Sequence, residues 1–131
     1  MKVQLFHGLA AGLLSGIAGV VYQSVYENAM YLDFSKVINV GSIIGASVFG
    51  CLLMAIGYWL LGKFKKPNLK VWLNALIVVL SFASILSPLA MTLPLDVEFP
   101  ELFPGLAIPM HFFPALVFFG LDPVFSKHAE V

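Results

Sequence analysis

The chain contains no arginine, a single cysteine (Cys51) and few charges of either sign, only 11 % of 131 residues. Without arginine there is no planar fork for bidentate capture of phosphate or carboxylate. One cysteine excludes an internal disulfide and a thiolate metal cluster. The charge content is less than half the share of about 25 % found in soluble domains. Seven lysines balance seven acids, so the chain lacks the net basic charge of a nucleic-acid binder. A glycine-rich phosphate loop, a His-Glu-x-x-His pair and a Ser/His/Asp constellation are also missing. The expectation is a non-enzyme.

What the chain has instead is apolar bulk. Hydrophobic residues make up 60 % of it and the mean hydropathy is +0.97. A soluble domain of this size has too little interior to hide that surface. The reading is a single all-α domain over residues 1–131: an integral membrane bundle of four helices, surrounded by membrane lipids. Four apolar runs define the spans, at 5–26, 37–61, 71–93 and 104–121. About 20 residues cross a hydrocarbon core of about 30 Å. The first run is too long for the core of a secretory signal and is expected to stay as a span. Short connections predict sequential antiparallel neighbours.

Charge sets the expected orientation. The loop between the second and third runs carries Lys63, Lys65, Lys66 and Lys70 and no acid, whereas Glu27, Asp33, Asp96, Glu98 and Glu101 fall on the opposite side with only Lys36. The positive-inside rule puts both termini and the lysine loop in the cytoplasm of a cell whose inner membrane the chain crosses repeatedly. The same four lysines suit anionic lipid head groups. Tyr58, Trp59 and Trp72 at one end, and Tyr22, Tyr26 and Tyr31 at the other, match the interfacial aromatic belts. Asp33 or Ser35 is expected to cap the second helix, and Asn68 the third.

Small residues predict how the helices meet. Gly8, Gly12 and Gly16 recur at four-residue spacing beside a second row of Ala11, Ser15 and Gly19; the second run carries Gly41 and Gly45. Such rows let backbones approach closely where lipid gives no hydrophobic drive. They are expected to join the first two helices, with room left on the first for self-association or another membrane subunit. Ser81, Ser84 and Ser87 recur every three residues. Packing and helix bending explain them better than a polar pore, which would need more polar groups on other spans.

The least ordinary stretch is Phe103–Pro114, with Pro104, Pro109 and Pro114 at intervals of five. An interior proline removes one helical bond and orphans the carbonyl four residues earlier, here those of Gly105 and Met110. The fourth helix is therefore expected to be kinked or broken in this half. His111 sits inside it, and an ionisable side chain at membrane depth is a functional candidate. The bland reading is a hydrogen bond to a carbonyl exposed by the prolines. The sharper one is contact with haem, a metal or a quinone, or a proton relay. His7 lies near the opposite end, more than about 10 Å away in depth, so one copy cannot supply a bis-His haem. No resident cofactor or metal is expected. The scattered Met30, Met54, Met91, Met110 and Cys51 form no soft-metal cluster. Asp96, Glu98 and Glu101 read as a solvated loop rather than a calcium site. Their alternation with Leu95, Val97, Phe99 and Leu102 predicts an extended strip with one apolar side. The absence of charge in the four runs argues against an ion-coupled carrier.

Asp33-Phe34-Ser35-Lys36 with Gly41-Ser42-Ile43-Ile44-Gly45-Ala46-Ser47, together with Phe103–Pro114, resembles small uncharacterised four-helix membrane proteins of bacteria. The resemblance implies a compact four-span fold and no activity. The leading functional expectation is a non-catalytic accessory or assembly subunit of a larger, for example respiratory, membrane complex. The alternative is a small oligomeric transporter, channel or hydrophobic-ligand binder with its site on the fourth helix around His111.

Overall fold

The computed structural model describes residues 1–129, which are helical with connecting turns and contain no strand. The helices are α1 (Lys2–Met30), α2 (Val40–Lys63), α3 (Lys70–Ser84), the short α4 (Leu86–Ala90) that continues it, and α5 (Phe103–Ala129). Four helical stretches, with α3 and α4 counted as one, are long and apolar enough to cross a membrane. The 29 residues of α1 reach roughly 43 Å. That exceeds a hydrocarbon core of about 30 Å. The chain has a lysine end, at the turn between α2 and α3, and an acidic end, at the loops around residues 31–39 and 91–102.

The α1 rows work as one stripe. Its buried residues are His7, Gly8, Ala11, Gly12, Ser15, Gly16, Gly19 and Gln23, one face at helical spacing. A Cβ added at Gly12 would lie 2.5 Å from Val48 Cα, and one at Gly16 3.0 Å from Ile44 Cα. The first is open only to glycine, and the second leaves a Cβ room only if Ile44 gives way. Two expectations are corrected here. The α2 partner face is Ile44, Val48, Cys51 and Ala55, while Gly45 meets nothing within 4 Å and Gly41 meets only the Asn39 side chain. And because both α1 rows are buried inside the chain, neither remains free for another protein.

Of the kink or break expected at the prolines, the break does not occur. α5 runs unbroken from Phe103 to Ala129 with Pro109, Pro114 and Pro123 inside it, and Pro104 sits in its first turn, where no bond is lost. The Gly105 carbonyl orphaned by Pro109 accepts a hydrogen bond from the Tyr22 hydroxyl at 2.9 Å. Tyr26 donates to the Leu102 carbonyl at 2.8 Å. Its hydroxyl lies so close over Gly105 that a side chain there would collide with it. Pro88 does interrupt its helix. It deprives the Ser84 carbonyl of its donor, and at Ile85 the bonding tightens to Phe82 before α4 resumes.

The caps also differ from expectation. Asn39 caps α2 in a reciprocal pair with Ser42, the Asn39 Oδ1 accepting from Ser42 N at 2.9 Å and the Ser42 Oγ accepting from Asn39 N at 3.1 Å. Asp33 closes a local turn onto Ser35 N instead. Asn68 lies within the single turn Pro67–Leu69 that precedes α3 and makes no cap bond. The acidic loop forms no strand. Val97 folds back into a cluster with fully buried Phe34 and with Phe103, Leu106 and Ala107, while Leu95 is fully exposed.

Candidate functional site

α3 is the loose element. It meets α2 near the lysine end, where Leu73 packs on Gly57 and the Tyr58 hydroxyl donates to Asn74 Oδ1 at 2.8 Å. It meets α5 through Phe82 and Phe112, with ring centroids 5.0 Å apart, and through an ion pair of Lys70 and Asp122 at 2.6 Å. Between these contacts α2 and α3 stand apart. The gap is a cleft of about 910 Å³, with α5 and α1 forming its back wall. It runs from Ser42 to Met54 on α2, roughly 18 Å at the helical rise.

Most of the lining is Leu, Ile, Met, Ala and Gly, with no charged side chain in it. The polar groups are six serines (Ser15, Ser42, Ser47, Ser81, Ser84 and Ser87) and His111. His111 is half-buried, and its Nδ1–H donates to the Ala107 carbonyl at 2.7 Å. That carbonyl belongs to its own helix and is not one of the two that the prolines orphan. The bond fixes the tautomer: Nε2, on the opposite ring edge, carries the lone pair. Ser81 and Ser84 bond back to Ile77 and Ser81 carbonyls, at 2.9 and 2.7 Å. With Ser87 they also line the cleft. A smaller cavity of about 140 Å³ adjoins at the acidic end and shares Ile38, Ser87, Met91, Met110 and His111 with the cleft. These shared residues form the throat between the two spaces.

His7 occupies a different place. It is 2 % exposed, stacked between Phe118 (centroids 4.0 Å) and Phe125 (4.9 Å), and its Nε2–H donates to the Phe118 carbonyl at 2.8 Å. Both of its faces and its donor are used, so it serves as a joint between α1 and α5. Its partner on α5 is seven residues from His111, roughly 10 Å along the helix, and the two histidines are not brought together.

The lysine end shows a pair that the apolar runs concealed. α5 extends past residue 121 and carries Asp122, only partly exposed, onto Lys70. Lys70 Nζ also stands 4.8 Å from the Tyr58 ring centre, and Lys63 lies 5.1 Å over Trp59. The signal was available in the sequence: antiparallel third and fourth spans bring Lys70 and Asp122 to one level. At the acidic end Asp96 pairs with Lys36 at 2.6 Å, and Glu27 accepts from Gln23 and from the Phe34 backbone. Among the described residues, no three His, Cys, Asp or Glu side chains converge as a metal site would require.

No protein-family model, curated protein or solved structure matches the chain. The functional reading therefore stands on the geometry of the cleft.

Proposed function

We propose that this protein is a non-enzymatic, multi-pass protein of a bacterial inner membrane that holds a lipophilic molecule in the cleft between α2 and α3. Both ends of the chain and the lysine loop face the cytoplasm, where Lys63, Lys65 and Lys66 meet anionic head groups. The single observation that carries the reading is the cleft itself. A space of about 910 Å³ is within the range of about 300–1,000 Å³ in which proteins enclose small ligands. Its walls are apolar with a few uncharged polar groups, which suits a neutral molecule drawn from the bilayer. No resident haem or metal is part of the proposal, and a Soret band in purified protein would overturn that point.

The test is extraction in mild detergent followed by organic extraction and mass spectrometry of what stays bound. A discrete lipophile retained by the wild-type chain and lost from Ala46→Trp, which fills the cleft from α2, supports the proposal. Equal retention by both proteins refutes it.

The accessory-subunit reading keeps one specific observation. The span formed by α3 and α4 has only 6 % of its apolar window buried, against 39 % for α1. An exposed helix of this kind suits a neighbouring subunit as well as lipid. Co-purification with much larger membrane proteins, persisting in Ala46→Trp, would favour it.

A further inference from the structure

The polar groups of the cleft are not evenly balanced between giving and receiving hydrogen bonds. Ser15 donates to the Gly12 carbonyl at 3.1 Å, Ser42 to Asn39 at 2.7 Å, Ser81 to Ile77 at 2.9 Å and Ser84 to Ser81 at 2.7 Å. His111 spends its one proton on Ala107. Each of these groups can offer a ligand only a lone pair. Two hydroxyls keep an uncommitted proton among the described residues, Ser47 and Ser87. Ser87 stands with His111 at the throat shared by the two cavities. Among its side chains the throat therefore presents the His111 Nε2 lone pair as an acceptor and the Ser87 hydroxyl proton as a donor.

We infer that the ligand is a neutral lipophilic alcohol or phenol whose hydroxyl seats at this throat, donating to His111 Nε2 and accepting from Ser87. This rests on the cleft being a ligand site, as proposed above. A hydroxyl has a proton for the one and a lone pair for the other. A ketone, aldehyde or ether oxygen can only accept, and it leaves the imidazole lone pair without a donor. An unpaired polar atom in an apolar site is costly, so the cleft discriminates against such ligands. It also discriminates against carboxylates and phosphates, which bring a charge to a lining that has no counter-charge. The apolar walls beyond the throat take the hydrocarbon part. Among redox pairs of one ring, the same logic favours the hydroquinone over the quinone.

The experiment compares three probes of one hydrocarbon skeleton on the protein in lipid nanodiscs: tritiated farnesol, with farnesyl methyl ether and farnesal as competitors. Farnesol is expected to bind about tenfold more tightly than either competitor, the worth of one well-made hydrogen bond. His111→Phe, which keeps the ring and removes the acceptor, is expected to bring farnesol down to the level of the ether while leaving ether binding unchanged. Equal affinity of farnesol and its ether for the wild-type chain would overturn the hydroxyl assignment and leave the cleft reading standing. Tightest binding by farnesal would overturn the assignment in the same way. Binding of none of the three, in a protein of native helical content, would overturn the ligand site itself. The comparison of probes on wild-type protein decides the matter even if the variant does not fold.

Discussion

The two halves of the molecule are built on different principles. α1, α2 and α5 meet through glycine contacts and through side chains that satisfy carbonyls on a neighbouring helix, from His7 at the lysine end to Tyr22 and Tyr26 at the acidic end. α3 and α4 are attached by a few contacts, and their outward surface is nearly all exposed, Val71, Trp72, Val79 and Leu86 among it. In lipid an exposed Leu costs nothing, because the solvent is as apolar as the side chain. Tight packing must therefore come from close approach and hydrogen bonds, and where the sequence withholds them a cleft remains. The difference teaches that stability resides in one half and the candidate binding space at the seam with the other.

The strongest way to break this contrast is to disturb the glycine contact. Gly12→Val would push a side chain into the Val48 backbone, which cannot yield as a flexible side chain would. The expected cost lies at or above the top of the range of about 1–3 kcal/mol for overpacking. Gly45→Val, with nothing within 4 Å, should unfold like the wild-type chain. Thermal unfolding in one detergent, followed by circular dichroism, makes the comparison. Equal midpoints for the two variants would mean that α1 and α2 do not pack as described.

The histidines give the next test. His7→Ala removes a buried ring from between Phe118 and Phe125 and leaves the Phe118 carbonyl without that donor. A loss of about 2–4 kcal/mol is expected from the cavity and the missing bond. His111→Ala gives up one bond to its own helix and should cost less than about 1 kcal/mol. If His111→Ala proved the more destabilising of the two in the same unfolding assay, the throat histidine would be a structural joint and not a ligand-facing group.

Much of the fold was legible beforehand, and the reasons are physical. Four runs of apolar residues about 20 long have few alternatives to helices in lipid, and their order and rough limits are as the runs predict. What the runs could not give is the identity of partners. Gly45 has the spacing of a contact glycine, but small residues report only that close approach is allowed, and α1 approaches Ile44 and Val48 instead. Pro109 reads as a break in isolation. It does not break α5, and Tyr22, more than eighty positions away, donates to the very carbonyl it orphans. The Asn39-x-x-Ser42 cap is written in the sequence, but Asp33 and Ser35 offer the same capping chemistry a few residues earlier, and spacing alone does not choose between them. For the site, His111 stood out as a polar group at depth, but the cleft beside it depends on how far α3 leans from α2, and no residue pattern encodes that angle.

A smaller effect separates the two attachments of α3 from the rest of the chain. The Lys70–Asp122 pair is partly shielded, with side chains 36 % and 22 % exposed. Asp122→Asn should cost up to about 1 kcal/mol and should loosen α3 without touching the contacts of α1. Hydrogen exchange read by mass spectrometry should show faster exchange over residues 70–84 and unchanged protection over residues 7–23. Uniform acceleration would mean that the two halves open as one unit.

The smallest effect belongs to the acidic end, and its sign can be worked out. The Lys36 ammonium bonded to Asp96 holds that carboxyl below its ordinary value of 3.8, and the hydroxyl and backbone N–H of Ser35 do the same for Asp33. Asp96 in turn raises Lys36 above its ordinary 10.5. A depressed carboxylate stabilises the fold above its unfolded pKa and loses that contribution as the pH falls through its folded value. A raised lysine stabilises below its unfolded pKa and loses the contribution as the pH rises through its folded value. The contribution of these three groups to stability should therefore be flat between about pH 4 and pH 10 and fall on either side. All three side chains lie at the surface, so salt should flatten both shoulders. Asp96→Asn should remove most of the alkaline shoulder and leave on the acid side the part due to Asp33. An alkaline shoulder unchanged in Asp96→Asn would show that the pair does not form in solution. The Phe34 and Val97 cluster alone would then close this end of the bundle, as the scant strength of exposed ion pairs already leads one to expect of most of the closure.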